Sequence, residues 1–204
     1  MATELWIARH GETAWSRERR HTGLTDIPLT DEGRRQAQAL RPVLEGRSFA
    51  RVVTSPLGRA RETCALAGYD ARAVVEDGLR EWDYGEYEGS TTDQIREHHP
   101  GWVIWRGDPP GGERLVQVAA RADGVLAGLA DVDGCVLLFS HAHLLRVLTA
   151  RWLGLEPSAG ALFVLAAGQL SVLGHEHGQQ AMLRWGVGHF TPTPIPTRES
   201  TVSQ

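Results

Sequence analysis

The segment Ala8-Arg9-His10-Gly11-Glu12 places an arginine and a histidine side by side at the end of an apolar run, Leu5-Trp6-Ile7-Ala8. The run reads as a buried strand, and the carboxyl end of such a strand is where open α/β sheets collect ligands. A guanidinium is a permanent cation whose fork matches phosphate oxygens. Its charge disfavours a second positive charge nearby, so His10 is expected to stay neutral and nucleophilic. The chemistry implied is attack of an imidazole on phosphorus while Arg9 holds the oxygens.

Three further places can complete that chemistry. In Ser55-Pro56-Leu57-Gly58-Arg59 a helix is expected to open at the end of a second strand, with Ser55 as cap and Pro56 at the first helical position. Arg59 then lies near N–H groups that attract anions, and can add a second guanidinium. Ser140-His141 follows another apolar run, Val136-Leu137-Leu138-Phe139, so His141 falls at a strand end equivalent to that of His10. Three donors around three nonbridging oxygens, with a nucleophile in line, are what phosphoryl transfer requires. The leaving oxygen still needs a proton. Glu81, beside the aromatic Trp82 and Tyr84, is the expected donor. A carboxyl partly withdrawn from water can protonate the leaving group and then activate the hydrolytic water.

These residues need elements to position them. Strands are expected at residues 4–9, 51–54 and 72–76, with a helix from the cap Thr30 to about residue 45. Glu81 to Gly112 is rich in Trp, Tyr, Gly, Pro and charge. It holds a short helix capped by Thr91 and Gln94 and reads as a lid-like segment over a site. Apolar residues at helical spacing run from Glu113 to about Ala130, followed by a strand over 136–140 and a helix from Ala142 to Leu153 that Gly154 ends. Residues 161–166 and 169–174 are expected to form two strands joined as a hairpin at Ala167-Gly168. Strands alternating with helices predict an α/β fold. The expected architecture is a three-layer α/β/α arrangement around a mixed, mostly parallel central sheet, with a small lid-like insertion.

The chain has 204 residues, 42% of them hydrophobic, which suits one domain over 1–190. Its tail, 191–204, alternates Thr and Pro before turning polar and is expected to be poorly ordered. A net charge of -4 argues against a nucleic-acid partner but not against an anionic substrate. No apolar stretch is long enough for a bilayer and no secretion signal is visible, so a cytoplasmic location is expected. Cys64 and Cys135 read as free thiols among apolar neighbours. His175-Glu176-His177 has metal-like spacing, but without a third ligand it reads as a solvated hairpin end, and no metal or other cofactor is expected. Trp82, Trp102 and Trp105 read as lid packing. Arg146 shares a helix face with Ala142 and points either toward a second phosphate of the substrate or to solvent.

The ordered set Arg9-His10-Gly11-Glu12-Thr13, Thr22-Gly23-Leu24-Thr25-Asp26 with Pro28-Leu29-Thr30, Ser55-Pro56 with Arg59-Ala60-Arg61-Glu62-Thr63, Glu81 and Ser140-His141 resembles the histidine phosphatase superfamily, the phosphoglycerate-mutase-like fold. The resemblance covers about residues 3 to 175. It implies His10 as the phosphorylated nucleophile, Arg9, Arg59 and His141 as the phosphate pocket, and Glu81 as the proton donor. It further implies that Ser16, Thr22 and Gly23 contact substrate, with Tyr84 and Arg146 as further binding candidates. Two positions depart from the common pattern: Ser16 stands where many members carry asparagine, and Ala142-His143 follows the second histidine where many carry glycine. The segments 81–89 and 102–106, with Ser140-His141-Ala142-His143-Leu144-Leu145-Arg146, resemble the branch of sedoheptulose-1,7-bisphosphatase and small bacterial acid phosphatases. The implied activity is metal-independent hydrolysis of a small phosphorylated metabolite. The rivals are a phosphoglycerate mutase, whose longer insertion after the glutamate is missing here, and a non-catalytic module that binds a phosphorylated ligand. Oligomeric state is not legible.

Overall fold

The computed structural model describes residues 4–188, so the expectation for 191–204 lies outside the described residues. Six strands form one sheet in the order β3-β2-β4-β1-β5-β6. They are β1 (Glu4–Arg9), β2 (Arg51–Thr54), β3 (Ala73–Val75), β4 (Cys135–Ser140), β5 (Leu170–Glu176) and β6 (Gln179–Val187). The first four run parallel, whereas β5 is antiparallel to both β1 and β6. The sheet is therefore mixed and mostly parallel.

Side chains alternate across each strand, so the two faces build separate cores. Leu5, Ile7, Val53, Val136 and Leu138 pack with α5 (Leu115–Leu129) and α6 (Ala142–Trp152). Trp6, Ala8, Val52, Leu137 and Phe139 pack with Leu40 and Leu44 of α2 (Asp31–Leu44) and Cys64 of α3 (Gly58–Leu66). Strands buried on both faces explain the unbroken apolar runs of β1 and β4. Two short helices, α1 (Ala14–Arg17) and α4 (Thr92–His98), lie in the connections, and capping boxes open both: Thr13 with Ser16, and Thr91 with Gln94. Cys64 and Cys135 are both free, and burial pushes the Cys64 thiol up to about 12.

The structure corrects two sequence expectations. Ser55 and Pro56 do not start α3, which begins at Gly58. The Ser55 hydroxyl is engaged by His141 instead, and the first N–H groups of α3 are taken by Asp26, whose Oδ2 accepts from Gly58 at 2.7 Å. Residues 161–166 form no strand. A 3-10 turn spans Pro157–Leu162, and the chain then runs as a loop into β5. The hairpin lies further on, between β5 and β6, with His177 and Gly178 both at positive φ in the turn. Sequence reading missed β6 because it is a largely exposed edge strand with no clear apolar alternation.

Candidate active site

Parallel pairing of β1 with β4 sets Arg9 opposite Ser140, so His10 and His141 leave the sheet side by side. Their ring centroids are 5.2 Å apart. The His10 amide donates to Ser140 O at 3.0 Å, and its carbonyl accepts from Gly168 N at 3.0 Å. The loop entering β5 thus closes the other flank. The tight turn after His10 needs glycine: a Cβ on Gly11 would lie 2.2 Å from the carbonyl oxygen of Gly33 in α2.

His10 is buried, and its Nδ1 lies 2.7 Å from Gly11 O. A carbonyl only accepts, so Nδ1 carries the hydrogen and Nε2 keeps its lone pair. Burial, reinforced by Arg59 and Arg9, holds the imidazole well below its usual pKa, so the ring is neutral at pH 7.

Three cationic or donor groups surround it, each anchored so that at least one nitrogen is left over. Arg9 Nη1 donates to Leu165 O at 2.7 Å. Arg59 donates from Nη1 to Thr25 O at 2.9 Å and from Nη2 to Thr22 O and Gly23 O at 3.2 and 2.8 Å. His141 Nε2 is 2.7 Å from Ser55 Oγ, which also accepts from Leu57 N. With the Ser55 hydroxyl donating to Nε2, the His141 hydrogen sits on Nδ1. Burial first, then Arg59, keeps His141 neutral. Arg9 Nε, Arg59 Nε and His141 Nδ1 are all buried without a partner among the described residues. Unspent buried donors are costly, and three on the residues around one nucleophile form a cradle suited to an oxyanion.

Glu81 is buried at the start of α6. Its Oε1 accepts from Leu144 N and Trp82 N, both at 2.9 Å, and its Oε2 from His143 N at 3.1 Å. The carboxyl oxygens thus satisfy N–H groups that open a helix, and Oε2, which accepts only one of them, has room for a proton. The 3-10 turn leading to it, Asp77–Leu79, is fixed from α5: Arg121 donates to Gly78 O, Arg80 O and Glu81 O and pairs with Glu113 at 2.7 Å. Glu113 also accepts from Asp83 N, and its carbonyl accepts from the Trp82 indole. Ser140 Oγ donates to Leu79 O at 2.7 Å, tying the same segment to β4.

A cavity of about 1050 Å³ opens over this arrangement and is lined by Arg9, His10, Glu81, Ser16, Thr22 and Tyr84, among others. Arg146 lines it too, with Nε and Nη2 held by Gly160 O and Ala161 O and its guanidinium 4.6 Å over the Trp105 ring. Arg17 of α1, Arg19 and Arg20 just after it and Arg96 of α4 also line the wall, Arg20 paired with Glu18 and Arg96 with Asp93, and Glu12 and Glu32 line it engaged by Thr30 and Arg35. The 81–112 segment supplies part of the wall through Tyr84, Thr92, Arg96 and residues 103–105. Trp82 is fully buried in the core, whereas Trp105 both packs on it and reaches the cavity.

The other substrate-contact candidates have defined partners. Ser16 Oγ donates to Thr13 O, so it has only acceptor capacity to offer. Thr22 Oγ1 donates to Arg20 O. Gly23 is not among the lining residues, and its N–H is donated to both oxygens of Glu88 at 2.9 Å. His175 packs on Trp152, and His177 is exposed beside Glu176. Sequence reasoning missed Ser55 as the partner of His141, and it missed Asp26, Glu88, Glu113 and Arg121. Their partners lie far along the chain and carry no local spacing signal.

Comparison with known proteins gives the family. The model of the histidine phosphatase superfamily (branch 1) matches residues 5–188, and the chain belongs to that family. It is 41% identical over 196 residues to an acid phosphatase of Mycobacterium tuberculosis, covering 94% of this chain and 95% of the relative. It is 34% identical over 183 residues to the sedoheptulose 1,7-bisphosphatase of Saccharomyces cerevisiae, covering 73% and 67% of the two chains. A probable phosphoglycerate mutase of Cronobacter sakazakii is 33% identical over 166 residues, covering 76% and 77%. A solved structure of a Mycobacterium tuberculosis open reading frame superposes with a TM-score of 0.86 at 39% identity, covering 91% of this chain and 98% of that one. Among the described residues no helix is long and apolar enough to cross a membrane.

Proposed function

We propose that the protein is a metal-independent phosphatase that hydrolyses small phosphorylated metabolites, sugar phosphates or bisphosphates, in the cytoplasm through a phosphohistidine on His10. The observation that carries this reading is the neutral His10 ring with Nε2 free, set amid three buried nitrogens that lack partners among the described residues. In the first step the Nε2 lone pair attacks phosphorus and the ester P–O bond breaks. The leaving oxygen takes a proton from Glu81. The ring becomes cationic, and its Nδ1–H bond to Gly11 O supports that charge. In the second step Glu81 accepts a proton from water, the water oxygen attacks phosphorus, and the P–N bond breaks to release phosphate and neutral His10. Arg9, Arg59 and His141 hold the nonbridging oxygens throughout, supplying charge that a metal would otherwise supply.

Hydrolysis is favoured over mutase action because the cavity is roomy and lacks a long covering insertion, so water reaches His10. Arg146, lining the cavity, suits a second anionic group, in keeping with the substrate named for the yeast relative. The test is rapid alkaline quenching during turnover of a labelled sugar phosphate. An acid-labile phosphoprotein is expected, absent in His10→Ala, with phosphate release unaffected by a strong chelator. Near-normal turnover by His10→Ala would remove the assignment, and isomerisation of 3-phosphoglycerate without phosphate release would favour the mutase.

A further inference from the structure

Tyr84 and His143 take no part in the steps above, yet they are joined beside Glu81. Tyr84 Oη lies 2.6 Å from His143 Nδ1. Burial raises the phenol well above its usual pKa, so it keeps its hydrogen and donates it, and Nδ1 accepts. Burial, with help from Arg146 and His21, keeps the imidazole neutral. Its one ring hydrogen is therefore on Nε2. The ring cannot turn freely: Trp105, Tyr84, His21 and Trp82 surround it at centroid distances of 5.3, 5.9, 6.1 and 6.3 Å. Nε2 has no hydrogen-bond partner among the described residues, and His143 lines the cavity. The main-chain N–H of the same residue donates to Glu81 Oε2, which places the imidazole next to the carboxyl assigned to the leaving oxygen.

We propose that His143 Nε2–H is a specificity contact that donates to a hydroxyl on the carbon next to the ester-bearing carbon, so that the site selects polyol and sugar phosphates. The inference rests on the phosphatase reading and names its leaving-group chemistry. A ring used only for packing would be served as well by phenylalanine, and the Tyr84 hydroxyl would need no partner there. A buried hydroxyl aimed at a neutral ring fixes which nitrogen carries the hydrogen, and that is what a directional donor needs.

The test compares glycerol 3-phosphate with 3-hydroxypropyl phosphate, which lacks only the adjacent hydroxyl. The unaltered protein is expected to favour glycerol 3-phosphate in kcat/KM by about tenfold, the scale of one hydrogen bond to substrate. His143→Phe should bring that ratio close to one, and His143→Gln, whose amide N–H reaches the same region, should restore most of it. A ratio near one in the unaltered protein overturns the inference, and this outcome is read even if His143→Phe fails to fold. A preference that survives in His143→Phe, or that His143→Gln does not restore, overturns it as well. So does turnover of p-nitrophenyl phosphate with neither alkyl ester accepted. Release of phosphate from none of the three would instead refute the phosphatase reading, and this inference with it.

Discussion

Replacing Arg121 by methionine isolates the positioning of Glu81, because Arg121 does not line the cavity and reaches it only through the 78–81 backbone. The substitution removes three donors to main-chain carbonyls and leaves Glu113 without its cation. Breaking a buried pair costs about 3–5 kcal/mol. With the two side chains 13% and 21% exposed, the lower end, about 3 kcal/mol, is expected here. At a urea m-value of about 2 kcal/mol/M, the unfolding midpoint should fall by about 1.5 M. The kinetic effect should depend on the leaving group. A displaced Glu81 matters when the leaving oxygen needs a proton, and a misplacement of about 1 Å costs about 10²-fold. An alkyl phosphate such as glycerol 3-phosphate should lose that factor in kcat, while p-nitrophenyl phosphate, whose leaving group departs without help, should lose less than about tenfold. Urea unfolding and the two kcat values check both parts, and a cycle with Glu113→Gln should show coupling between the residues. Equal losses on both substrates, or an unmoved midpoint, would refute the reasoning.

Glu81→Gln should slow alkyl esters by about 10²–10⁴-fold while sparing activated aryl esters, read as a steeper dependence of rate on leaving-group basicity; an unchanged slope would mean that the residue only positions. Gly11→Ala should destabilise by about 1–3 kcal/mol or more in urea unfolding, since its Cβ meets the Gly33 carbonyl at 2.2 Å; an unaltered midpoint would contradict that close approach. Acid should weaken the fold through its buried histidines. Burial lowers His21 from 6.5 to about 4, so between these values the unfolded chain binds the extra proton. That contribution is complete above pH 6.5 and is lost as pH falls toward 4, about 3 kcal/mol in all. His10, His141 and His143 are shifted in the same direction and add to the loss. Urea unfolding at pH 7 and pH 4.5 should show the drop and His21→Asn should reduce it, whereas stability that stays flat would count against it.

The parts legible in the sequence share one property: each is announced by its neighbours. The apolar runs of β1 and β4 placed His10 and His141 at strand ends, and the caps Thr30 and Thr91 opened α2 and α4 where expected. What stayed hidden depends on residues distant in sequence. Ser55 resembles a helix cap until His141, 86 residues on, takes its hydroxyl. Residues 161–166 have strand-like composition, but their apolar side chains Leu162 and Val164 are exposed, and Leu165 O is used by Arg9. Whether β1 and β4 are neighbours is likewise a tertiary fact that no local pattern carries.

The reversal of β5 against β1 has a consequence for how such a site can diversify. In an all-parallel sheet every strand presents its finishing end to the ligand. Here one strand begins where the others finish, so the loop over residues 163–169 arrives from outside the sheet and leans on Arg9 and His10 through main-chain atoms alone. Its side chains are therefore spared from the chemistry: Val164 stands 73% exposed at the cavity mouth. New substrates can be accommodated by rewriting that entrance while the nucleophile and its arginines stay as they are.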